Sequence, residues 1–172
     1  MGTASRAFVL GCCSLLLLVP AWTVGPVDTL DELQRKFDRE MDGVNKAKML
    51  RRLGDAQFDR EREAAKAGEY ETAALVMEKY RDNVRAALEA LKKQHPNAEK
   101  QPNGYRQLEI HARKGIREIG ESLLVAPEPF KPPLEIVRED LAAMDDELLK
   151  LLFPNRPLNQ KAKNPPPPGK QP

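Results

Sequence analysis

The sequence predicts an all-α fold: an antiparallel helical bundle of about four helices, with an N-terminal signal segment in front and a disordered C-terminal tail behind. Three observations lead there. Beyond position 28 the apolar residues recur at helical spacing, which lines them along one face of an α-helix. No stretch alternates apolar and polar residues without an equally good helical pattern, so no strand is expected. No proline lies between Pro26 and Pro96, whereas seven of the fifteen prolines lie from Pro154 onward. Because proline removes a backbone donor and breaks helices, this leaves the middle free to be helical. The expected organisation is a signal over residues 1–25, a bundle over 28–153 and a Pro-rich basic tail over 154–172.

The leader has Arg6 as its positive start and an uncharged run from Ala7 to Val19, with Val19-Pro20-Ala21 offering cleavage-site spacing. The chain is therefore expected to be exported, to a periplasmic or secreted location. Two alternatives remain for this segment: a membrane anchor, since Ala7 to Val24 is barely long enough to span, and a lipid-attachment site at Cys12. Both cysteines, Cys12 and Cys13, fall here. The remainder would have no disulfide, no thiol nucleophile and no thiolate metal site.

The first helix is expected to open at Thr29, which has capping-box spacing to Glu32. Its seam runs Leu30, Leu33, Phe37, Met41 and Val44, continuing through Ala47, Leu50 and Leu53. Gly43 and Gly54 leave its continuity open, because glycine weakens a helix interior. The charged run Asp59-Arg60-Glu61-Arg62-Glu63 reads as a solvated face, and Gly68 as the stop. The second helix, about Glu69 to Gln94, carries Tyr70, Ala73, Met77, Tyr80, Val84, Ala87 and Leu91, widened by Leu88, and ends at His95-Pro96. The third, capped by Asn103, carries Tyr105, Leu108, Ala112, Ile116, Ile119 and Leu123. After a proline-rich connector around Phe130, the fourth starts near Pro133. It carries Leu134, Val137, Leu141, Met144, Leu148 and Leu152, and stops at Pro154.

Two segments carry a family resemblance. Gly68-Glu69-Tyr70-Glu71-Thr72-Ala73 resembles the turn between the two helices of a tetratricopeptide repeat, and Leu53-Gly54-Asp55-Ala56 is similar to that family's first-helix pattern. No second copy follows at the repeat period of about 34 residues. The resemblance implies peptide or protein binding on a concave helical face. The chain also resembles uncharacterised exported helical proteins of bacteria, which implies a compartment but no activity.

Composition narrows the function further. The chain is 31% charged with a formal net charge of +2, and four of its cations (Arg156, Lys161, Lys163, Lys170) belong to the tail. A bundle so balanced gives no reason to expect nucleic-acid binding. The tail's polyproline run suits an aromatic groove or an anionic surface. His95 reads as a helix-terminal residue and His111 as a boundary residue on the bundle's flank. A haem site would require His111 to face Met41, Met49 or Met77, and no metal, cofactor or catalytic set emerges from the spacing. Asp145-Asp146-Glu147 and Asp38/Asp42 read as surface carboxylates. Ser122 lacks a partner for nucleophilic chemistry.

The expectation is thus a non-enzymatic interaction or structural protein that binds another protein or peptide. Tyr70, Tyr80, Tyr105 and His111 are the candidate contact residues, because tyrosine suits half-exposed interface positions. The alternative is a periplasmic metal- or stress-responsive helical sensor or chaperone. Self-association through the second helix's narrow stripe is a further expectation.

Overall fold

The structure, a computed structural model, describes residues 29–154; the expected signal, both cysteines and nearly all of the tail lie outside them. Among the described residues five α-helices and no strand occur: α1 (Leu30–Arg39), α2 (Gly43–Lys66), α3 (Tyr70–Gln94), α4 (Pro102–Val125) and α5 (Lys131–Leu152). A 3-10 turn, Glu128–Phe130, leads into α5.

The predicted first helix is two helices. The Thr29 capping box forms as expected, with Thr29 and Glu32 each accepting from the other's backbone N–H. The chain then leaves helical geometry at Glu40 and Asp42 restarts it, its side chain accepting from Asn45 N at 2.8 Å. Met41, assigned to the seam, is consequently 78% exposed. The helix does run unbroken through Gly54.

Polar groups fasten the α1–α2 corner. The Gln94 amide accepts from Gly43 N at 2.8 Å and donates to Met41 O at 2.6 Å. Lys46 donates to Phe37 O at 2.8 Å, with its ammonium 4.2 Å from the Phe37 ring centre. Gln34 and Asn83 exchange a reciprocal amide pair between α1 and α3, at 3.0 and 2.9 Å.

The α2–α3 turn is a Schellman motif around Gly68, at φ +79°. Glu69 N reaches Ala64 O at 2.8 Å and Gly68 N reaches Ala65 O at 3.1 Å. Two other boundaries differ from expectation. Helix α4 starts at Pro102 with Gln101 before it and without a side-chain cap, so Asn103 lies inside the helix. Helix α5 begins two residues before Pro133, because the 3-10 turn feeds it directly.

Helices α2 to α5 form two antiparallel hairpins side by side. Cross-links fix their relative direction. Asp55 and Arg62 of α2 meet Lys114 and Glu118 of α4 in the same order, and Arg85 and Lys92 of α3 meet Asp140 and Glu147 of α5 likewise. Thus α2 lies parallel to α4, and α3 parallel to α5. Helices α3 and α4 touch across the diagonal, and α2 and α5 do not.

The seams form one core. All six predicted apolar positions of α5 are buried, as are Ala73, Met77, Tyr80, Val84, Ala87 and Leu91 of α3. The hydrophobic effect of these side chains, ~1.5–3 kcal/mol each for the larger ones, offsets the cost of ordering the chain.

At Gly43 α2 lies close against the α3 backbone: a methyl group there would lie 2.7 Å from Leu91 N and 2.8 Å from Ala90 C. Both are backbone atoms that cannot rotate aside. Gly43→Ala is expected to destabilise the fold by about 1–3 kcal/mol, measured by urea unfolding. Gly68→Ala, a strained but open position, should cost less than that.

Candidate functional site

A ring cluster where α2, α3 and α4 meet organises the interior. Tyr80 is fully buried. Its ring lies 4.7 Å from Phe58 and 5.7 Å from the His111 ring, centre to centre. Glycines on both flanking helices make room for it. A methyl at Gly54 would strike His111 and lie 2.9 Å from Tyr80 Cε2, and one at Gly115 would strike the Tyr80 ring. Gly54, expected to weaken α2, is the space into which these rings fit.

The Tyr80 hydroxyl lies 2.9 Å from His111 Nδ1 and donates to His111 O at 2.8 Å. It has one proton and two acceptors in reach. With the proton on the carbonyl, Nδ1 carries its own hydrogen and donates it to the phenol oxygen. Nε2, buried and without a hydrogen-bond partner, then has a bare lone pair 3.5 Å from Asp55 Oδ1. Burial holds the His111 pKa below its ordinary 6.5; Asp55 and the Arg51 carbonyl oppose that shift, and Lys114 adds to it. The Tyr80 phenol is pushed well above 10.0, mainly by burial.

Outside this cluster, α2 and α4 border a groove of about 630 Å³ lined by Ala47, Lys48, Arg51, Asp55, Gln107, Ile110, His111 and Lys114. Its lining is mostly apolar, and Ile110 is 66% exposed. Three cations, Lys48, Arg51 and Lys114, face one anion, Asp55, which takes Lys114 Nζ at 2.7 Å.

A second groove of about 410 Å³ lies further along the same helix pair, lined by Glu61, Arg62, Tyr70, Glu118, Glu121, Ser122 and Val125 among others. Glu61 lies at its floor and is only 3% exposed. The sequence places it on a solvated face; in the structure it points between α2 and α4, where the next helix, invisible to a one-helix pattern, covers it. Burial raises its pKa above the ordinary 4.5, against the pull of the Ser122 hydroxyl and Arg62. Asp145, also expected at the surface, is half-buried with Oδ1 unpartnered. Burial raises its pKa too, with Arg113 opposing.

The four candidate contact residues separate. Tyr80 and Tyr105 are fully buried and His111 nearly so, which corrects their assignment to exposed edges. The reason lies in their phenols, which find partners inside: Tyr80 on His111 and Tyr105 on His95 O at 2.8 Å. Only Tyr70 reaches the surface in part, stacked on Phe130 with ring centres 5.2 Å apart. The rings packed on His111 are those of Tyr80 and Phe58, with centres 5.7 and 5.8 Å away. His111 still lines the first groove from beneath, while the basic rim and Ile110 went unnoticed in the sequence. The available signal was Lys48, Arg51 and Asp55 at i, i+3 and i+7 facing Gln107, Ile110 and Lys114.

Among the described residues no three of His, Cys, Asp and Glu converge as a metal site, and no helix is long and apolar enough to cross a membrane. Comparison with protein-family models, with curated proteins and with solved structures finds no match. What is defined is the class: an all-helical bundle.

Removing the Tyr80 hydroxyl leaves His111 unpaired in the core. Tyr80→Phe is expected to cost about 2 kcal/mol, read as a lower urea midpoint at unchanged slope.

Buried His111 and Glu61 act oppositely with pH. The unfolded chain protonates His111 more readily than the folded one, so this group's stabilisation is intact above 6.5 and is lost as pH falls below it. The folded chain holds the Glu61 proton more tightly, so stability falls as pH rises from 4.5 through the folded pKa. Glu61→Gln should therefore raise the thermal midpoint near pH 7 and give no gain below 4.5.

Proposed function

We propose that this chain is an exported interaction protein that binds a peptide segment of another protein in the α2/α4 groove. One observation carries the reading: a mostly apolar groove with an exposed isoleucine at its edge and cations around it. Such a groove holds side chains of a partner by burial and orients it by charge. Two further features support it. The larger part of the interior is filled by apolar seams and the ring cluster, which leaves the outer helix faces for a partner. The paired hairpins, with α2 beside α4 and α3 beside α5, use the packing mode of helical-hairpin solenoids, which bind peptides along their exposed faces. The tetratricopeptide-like turn at Gly68 fits the same reading. Export rests on the leader sequence alone, and no specific observation favours a metal- or stress-responsive role.

The test is selection of random peptides on the full chain, followed by binding to Ile110→Asp. This variant keeps the exposed position and places a charge in the apolar part of the groove. Selected peptides should lose affinity by about tenfold or more, with an unchanged circular dichroism spectrum. Peptides that bind wild type and variant equally place the binding surface elsewhere.

A further inference from the structure

We infer that the occupant of the α2/α4 groove is an acidic–apolar peptide segment, one of whose carboxylates displaces Asp55 from Lys114. The inference rests on the groove reading above and specifies its ligand.

Three observations argue for it. The rim is unbalanced, with Lys48, Arg51 and Lys114 against Asp55 alone. The chain already places one carboxylate in the position an incoming one would take, since Asp55 Oδ1 holds Lys114 Nζ at 2.7 Å and lies 3.5 Å from His111 Nε2. The Asp55 side chain is 48% exposed, so water can take its place on release from Lys114. Finally, Ala47 and Ile110 supply apolar surface next to the cations.

The groove's extent limits the segment. From Ala47 to Asp55 along α2 is about 12 Å at 1.5 Å per residue, room for roughly four extended residues. The chain's own basic tail, with Arg156, Lys161, Lys163 and Lys170, has the wrong sign for this rim. The occupant therefore comes from another molecule. Electrostatic complementarity then sets its orientation and the salt dependence of binding.

The experiment measures fluorescence anisotropy of three labelled hexapeptides on the full chain at low salt. One alternates Leu with Glu, one Leu with Gln, one Leu with Lys. The Glu peptide should bind about tenfold tighter than the Gln peptide. Arg51→Glu and Lys114→Glu should each remove that advantage while leaving the Gln peptide unaffected. Asp55→Asn, which removes the competing charge, should tighten the Glu peptide several-fold.

Equal affinity for the Glu and Gln peptides, both lost in Ile110→Asp, would overturn the carboxylate inference and leave the groove reading standing. A preference for the Lys peptide overturns it as well. No binding that depends on Ile110, or binding of decanoate in place of every peptide, defeats the groove reading together with the inference.

Discussion

The packing of Tyr80 decides how three helices meet. A full-sized phenol occupies the diagonal of the bundle, where side chains on every facing position would hold the helices apart. Gly54 and Gly115 remove them on both sides, so α2 and α4 close around the ring. The arrangement satisfies shape and polarity at once: the ring fills the junction beside Phe58, and the hydroxyl answers to His111. Because α4 is held to α3 across the diagonal here, the second hairpin lies beside the first with α2 and α4 parallel. The outer groove lies on the surface of this helix pair, between the approach at Gly54 and Gly115 and a second one at Gly104, where a methyl would lie 3.4 Å from Val44 Cα.

Much of the architecture was legible in the residues. The α5 seam, from Leu134 to Leu152, is a plain 3,4 repeat with no polar interruption, and every position faces inward. The Thr29–Glu32 box and the Gly68 stop are local chemistry, decided within a few residues. The break at Glu40–Asp42 was not legible, because the apolar spacing carries straight through Met41. Local and distant groups together take up the backbone polar groups that the break releases: Glu40 accepts from Met41 N and Asp42 N, and the Gln94 amide, more than fifty positions on, bonds Gly43 N and Met41 O. Glu61 was misread for a related reason. Its neighbours in sequence are mostly charged, and what hides it comes from elsewhere in the chain: Ser122 and Val125 of α4, Tyr70 of α3 and Phe130 lie around it.

The site was less legible than the fold. Tyrosine was taken as a marker of half-exposed edges, yet Tyr80 and Tyr105 are core residues whose hydroxyls are satisfied inside. Seen as a one-helix wheel, His111 is a flank residue; seen in the bundle, it separates the ring cluster from the groove. The rim charges lie on two helices about sixty positions apart in the chain, and their likeness of sign is a property of the assembled pair. A sequence pattern reports which face of a helix is buried, and says much less about what two outer faces make together.

The fastening of α1 has a mechanical meaning. This ten-residue helix buries only Leu33 and Phe37, and otherwise relies on amide pairs and one lysine at its corner. Exposed polar bonds of that kind open at lower free energy than a shared apolar seam. A pull on the residues that precede it would therefore peel α1 away as one piece, like a hinged clasp, and leave the two hairpins clamped on Tyr80.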